Sequence, residues 1–129
     1  MNPSSERRRF ERFELPSMYT RVAVRSLDRD EYEWEGHAYD ISRGGLRFEL
    51  DRGFEPGASV AMRIDLPRAP VERSTEPRSV FVFARIVWLE DDDEPGPVKM
   101  AVVFTSFARS GDEDLLLKRV HSGRYSLAA

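Results

Sequence analysis

The sequence contains no cysteine among its 129 residues, which excludes disulfide staples, thiolate metal sites and cysteine nucleophiles. No long apolar run is present either. Residues 1–14 are polar and arginine-rich, with no hydrophobic stretch behind them, so neither a secretion signal nor a membrane anchor is expected. The sequence is therefore read as that of a soluble, cytoplasmic protein with no membrane insertion. Histidine is scarce. His37 falls in an expected strand and His121 at an expected helix end, neither with a second histidine spaced to share an ion, so no metal site is expected. The hydrolase elbow G-x-S-x-G, the phosphate loop G-x-x-x-x-G-K and the dinucleotide motif G-x-G-x-x-G are all missing, and the chain is expected to be no enzyme and to need no cofactor. A formal net charge of −3 speaks against a partner that is a nucleic-acid polymer, because phosphate-driven affinity requires a broadly basic surface.

The charge that is present is unevenly placed. Arg7, Arg8, Arg9 and Arg12 crowd one end, while Asp28, Asp30, Glu31, Glu33, Glu35 and residues 90–94 carry the acid. A local basic patch on an acidic body suits a small anion better than a polymer. The carboxylates at 90–94 are adjacent in sequence and so rarely converge on one ion; they read as a solvated hairpin loop.

Hydrophobic alternation recurs in segments separated by turn residues, the mark of an antiparallel β domain. Thr20, Val22 and Val24 alternate with Arg21, Ala23 and Arg25, and residues 34–40 give a second strand. Leu46, Phe48 and Leu50 alternate with Arg47 and Glu49. Val60, Met62, Ile64 and Leu66 give the cleanest period of two, entered by a Pro56-Gly57 turn and ended by Pro67. Residues 79–89 are apolar on both faces at their start, as in a long, strongly bent barrel strand, and residues 98–104 make the last one. Residues 67–77 hold three prolines and no periodicity, and read as an irregular connector. Trp34, Trp88 and the phenylalanines at strand spacing read as core or barrel-rim residues. Near the end, Ser110 followed by Glu113 has the spacing of a capping box, and Leu116 and Val120 form an i, i+4 stripe. Acid at 112–114 and base at 118–119 complement a helix dipole, with Gly123 as the stop. The apolar stripe needs a surface, so this helix is expected to pack across one barrel opening.

Two short motifs carry the functional reading. The first is Arg8-Arg9-Phe10-Glu11-Arg12, an RxxxR spacing preceded by Arg7; the second is Asp40-Ile41-Ser42-Arg43-Gly44-Gly45, a DxSxxG at a strand end. Taken singly, an arginine run is a solvated tail and D-x-S before Gly-Gly is a turn closed by side-chain to backbone bonds. In this order they resemble the PilZ domain family, in which an RxxxR segment precedes the barrel and a (D/N)xSxxG motif lies in the sheet. The resemblance extends over nearly the whole chain.

That resemblance implies a single all-β domain, a six-stranded antiparallel PilZ-type barrel with a short C-terminal helix. It divides into an arginine-rich arm at residues 1–17, a barrel at 18–109, a helix at 110–123 and a tail at 124–129. It implies a receptor for the bacterial second messenger cyclic di-GMP (c-di-GMP), working through a downstream protein partner; the alternative is an adaptor that does not bind nucleotide. The ligand residues implied are Arg7, Arg8, Arg12, Asp40, Ser42, Gly44 and Gly45. Their chemistry suits c-di-GMP: arginine forks onto phosphate oxygens and onto the O6 and N7 acceptors of guanine. Asp40 can accept from guanine N1–H and N2–H, the Ser42 hydroxyl can bond base or phosphate, and Gly44 and Gly45 permit positive φ and close approach of a ligand. A basic residue at position 7 further implies c-di-GMP taken as an intercalated dimer. One departure is visible, since Ala101 ahead of Phe104 stands where the family often has the glycine of a G-x-x-F. The arm itself is expected to be mobile without ligand, because its arginines repel one another.

Overall fold

The computed structural model describes residues 13–14, 20–66, 79–90 and 96–120. The expected connector at 67–77, most of the arginine arm and the tail lie outside these residues. Among these residues seven strands and one helix follow in order: β1 (Phe13–Glu14), β2 (Arg21–Ser26), β3 (Trp34–Ile41), β4 (Gly45–Leu50), β5 (Ser59–Asp65), β6 (Ser79–Leu89), β7 (Val98–Phe107) and α1 (Asp112–Val120). The strand order β3-β2-β5-β6-β7-β4 returns on itself because β4 also pairs with β3. All pairings are antiparallel. The result is the expected closed six-stranded barrel with a C-terminal helix, and β1 is a short extra strand laid on β3 outside the ring.

The period of two explains the closure. Val22 and Val24 on β2, Val60, Met62 and Ile64 on β5, and Leu46, Phe48 and Leu50 on β4 all point inward and are buried in one cluster. Each such side chain contributes about 1.5–3 kcal/mol of transfer free energy. A closed ring also removes the unpaired edges that an open sheet would present. Gly36 is fixed by this geometry, since a Cβ there would collide with the Glu49 carbonyl oxygen on β4.

The helix starts one residue later than a Ser110 cap requires. The first intrahelical bond runs from the Leu115 N–H to the Gly111 carbonyl, 2.9 Å, and Gly111 has φ +88, a conformation that favours glycine. Glu113 is not a capping-box partner; its carboxylate faces Arg43 at 3.7 Å. The entry is held instead by buried Asp112, which accepts the Phe81 N–H at 2.8 Å and the Arg109 guanidinium at 3.0 and 3.1 Å. Leu116 is fully buried in the barrel's own core cluster, so α1 covers the core against β6.

Candidate functional site

The DxSxxG segment forms the β3–β4 turn. Ser42 is buried, and its Oγ accepts the N–H groups of Gly44 and Gly45, both at 3.1 Å. The Ser42 N–H donates to the Gly45 carbonyl at 2.9 Å, and the Gly44 carbonyl accepts the Phe104 N–H on β7 at 2.8 Å. The serine side chain therefore takes the place of a main-chain acceptor in closing the turn. Both lone pairs of its oxygen are committed, which leaves the hydroxyl proton for another partner.

The two glycines do not behave as the sequence suggested. Positive φ occurs at Gly57, Gly96 and Gly111 among the described residues, and at neither Gly44 nor Gly45. Gly45 is required by the sheet: a Cβ there would collide with the Val102 carbonyl oxygen of β7. The close approach that the missing side chain permits is thus that of a neighbouring strand.

Asp40 is aimed by a β-bulge. Ala38 and Ile41 are both fully buried and inward-facing, three positions apart, so a regular strand cannot satisfy both. The register shifts between Ala38 and Asp40, where Asp40 pairs with Arg47 and Ala38 with Phe48. A bulge of this kind places its two residues on the same side as the residue opposite, and Tyr39 and Asp40 accordingly share the outer face with Arg47. The Asp40 carboxylate lies 3.8 Å from the Arg47 guanidinium.

A second bulge does the same on the other flank. β6 shifts register between Ile86 and Trp88, and Val87 and Trp88 are both exposed. Trp88 pairs with Ala101, Ala101 with Arg47, and Arg47 with Asp40. One row thus crosses four strands on the outside of the barrel, from carboxylate to guanidinium to methyl to indole. The small Ala101 side chain lets Arg47 reach over the Trp88 ring, 5.8 Å from its centroid, within cation–π range. Trp88, expected in the core or at the rim, is 42% exposed on this face. The row pairs a flat π surface with a planar donor and an acceptor-only carboxylate.

Beside it, the Tyr39 hydroxyl donates to the Glu49 carboxylate and Lys99 stands over the Tyr39 ring at 5.3 Å. Burial, together with the bond to Glu49 and the negative charges of Glu49 and Glu90, pushes the Tyr39 phenol up to about 12. It is neutral across the physiological range, a fixed donor rather than a charge.

Of the residues singled out from sequence, Asp40, Ser42, Gly44 and Gly45 come together at this turn; Arg7, Arg8 and Arg12 lie outside the described residues. β1 relates the two motifs. Phe13 stands in register with Ile41 and Glu14 with Asp40, so the chain joins the sheet within the DxSxxG segment, immediately after Arg12 in sequence.

With this geometry in view, comparison with known proteins settles the class. The PilZ domain family model matches residues 6–120, and the chain belongs to that family. Among solved structures it is similar to the inhibitor of motility MotI/DgrA of Bacillus subtilis, with TM-score 0.64, 23% identity, 86% of this chain and 48% of that chain covered. It is likewise similar to the PilZ domain, with c-di-GMP, of YcgR from Escherichia coli, with TM-score 0.57, 16% identity and 90% of each chain covered. The chain spans about half the length of the first of these. At such identities the likeness is one of fold. No curated protein shows significant sequence similarity to the chain.

Proposed function

We propose that this domain is a bacterial receptor for c-di-GMP that takes the nucleotide on the outer face of the barrel at the β3–β4 turn. The observation that carries this reading is the pairing of Phe13 with Ile41, because it joins the end of the arginine segment to the DxSxxG turn. Arg8 and Arg12 then fork onto phosphate and guanine, and Arg7 serves a second, intercalated c-di-GMP molecule. Asp40 accepts from a guanine edge, the Ser42 hydroxyl donates its remaining proton, and Trp88 offers a stacking face. YcgR, the fold relative whose structure includes c-di-GMP, supports the choice of ligand. Family membership supports a receptor that acts in the cytoplasm through a protein partner and has no chemistry of its own.

Calorimetric titration of the full chain with c-di-GMP tests the proposal. Two molecules are expected per chain, falling to one in Arg7→Leu. Loss of a charge-assisted contact of this kind costs on the order of 2–5 kcal/mol, so Arg12→Ala should bind well over tenfold more weakly. An absence of binding heat in the wild-type protein would leave the adaptor reading in its place.

A further inference from the structure

The outer face of β2, β5 and β6 carries a second apolar layer. Ala23 and Ala61 are 1% and 2% exposed, yet neither belongs to the barrel's core cluster. Both alternate with inward residues, so they face outward and are covered from outside. Tyr32, Phe81 and Phe83 stand around Ala61 in a hollow of about 200 Å³, rimmed by Arg25 and Arg109. The Tyr32 and Phe81 rings lie 6.4 Å apart and tilted. Arg25 and Arg63 both stand over Tyr32, at 5.7 and 5.6 Å, and Arg109 stands over Phe81 at 4.3 Å. Arg85 follows Phe83 outward on β6 and is exposed, with no ion pair among the described residues. In the ring order of strands β5 lies opposite β4, so the part of this surface on β5 faces away from the β3–β4 turn, while Arg85 on β6 stands across β7 from Gly45.

We propose that this face docks an acidic peptide segment of a protein partner, which inserts one apolar side chain beside Phe81 and Phe83 and sets flanking carboxylates against the arginines. The charge favours it. Arg63 and Arg109 face Asp65 and Asp112, whereas Arg25 donates to the carbonyls of Ser26 and Arg29 and Arg85 has no ion pair among the described residues, so two of the four guanidinium groups are left to meet a partner's carboxylates, although Glu35 stands opposite Ala23 on the β3 flank. The size favours it too, since about 200 Å³ is below the roughly 300–1,000 Å³ of small-molecule sites and suits one side chain. Aromatic residues and arginine are the types enriched where proteins bind one another. A single-stranded nucleic acid is less well served, because affinity for a phosphate chain requires a broadly basic surface and the chain carries a net charge of −3.

The test is chemical-shift mapping on the isotope-labelled full chain, with acetyl-Asp-Glu-Phe-Asp-Glu-amide as the probe. The expected result is saturable shifts confined to β2, β5 and β6 by about 2 mM peptide, in the range of weak peptide affinities. The neutral counterpart acetyl-Asn-Gln-Phe-Asn-Gln-amide should give none. Arg63→Gln combined with Arg85→Gln should weaken binding at least tenfold with the rest of the spectrum unchanged; Arg85→Gln alone, which removes a solvated side chain, should weaken it severalfold and serves if the pair perturbs folding. No saturable shift, shifts elsewhere, equal binding of the neutral peptide, undiminished binding by the folded variants, or tighter binding of a hexathymidylate at this face would each overturn the proposal.

Discussion

Replacing Ser42 with alanine separates two roles that the β3–β4 turn assigns to one side chain. The Oγ atom accepts two backbone N–H groups, from Gly44 and Gly45, and Ser42 itself is 8% exposed. Removing an acceptor from a buried donor costs about 1–3 kcal/mol where water cannot replace it. Gly44 and Gly45 are half-buried, so water satisfies part of the loss and the net destabilisation should be about 1–2 kcal/mol. For a domain of this size that corresponds to a thermal midpoint lower by about 4–8 °C. Ser42→Thr keeps the acceptor and should restore most of it. Thermal and urea unfolding measure both variants without ligand. A Ser42→Ala midpoint within about 1 °C of wild type would refute the view that the hydroxyl holds the turn, since a difference so small lies well below the lost bonds. If the turn is held in this way, weaker c-di-GMP binding by the alanine variant reflects a relaxed turn as well as a lost contact, and the threonine variant tells the two apart.

Three further outcomes are expected. Gly45→Ala places a methyl group against the Val102 carbonyl, and because backbone must move, it should destabilise by about 1–3 kcal/mol; a wild-type urea midpoint would contradict the close β4–β7 approach. Trp88→Ala should lower the unfolding midpoint only modestly, because the ring is 42% exposed and stands under Arg47, while weakening c-di-GMP binding by about 1–3 kcal/mol if a base stacks there; undiminished affinity in calorimetry would remove Trp88 from the site. For Tyr39, whose phenol is raised to about 12 by burial, by its bond to Glu49 and by the charges of Glu49 and Glu90, the folded state favours the protonated form. Its contribution to stability is full below the ordinary tyrosine value near 10 and is lost as pH rises from there through about 12. A wild-type minus Tyr39→Phe absorbance titration at 295 nm should show that transition near 12, and a midpoint near 10 would contradict the burial and bond.

Most of the barrel was legible in the sequence because a closed antiparallel sheet imposes a period of two on every strand. Val60, Met62 and Ile64 declare their face without ambiguity, and each expected strand lies where one is found. The bulges were less visible, since an inserted residue interrupts the period on which such reading depends. The signal was nonetheless there: inward Ala38 and Ile41 stand three apart, an odd spacing that two inward residues of a regular strand cannot have. β1, at two residues, is too short to show any period. The outward row of Arg47, Ala101 and Trp88 is assembled from three strands by register, and no local pattern marks it. Ser110 and Glu113 misled because their spacing suits a cap, whereas the entry of α1 is decided by Asp112 reaching β6. Asp40 and Ser42 were singled out through motif resemblance, and the structure adds that Ser42 serves the turn and that a bulge sets the direction of Asp40.

Amide hydrogen exchange with and without saturating c-di-GMP is the decisive measurement for a site at the β3–β4 turn, because it reports both binding and its place on the barrel. Protection should rise across residues 6–15 and across 40–47, the latter being the stretch with which Phe13 and Glu14 of β1 pair at Ile41 and Asp40, with β5 little changed. Exchange that is unaltered by the nucleotide, or altered only away from the β3–β4 turn, would contradict a c-di-GMP site built from the arginine segment and the DxSxxG turn.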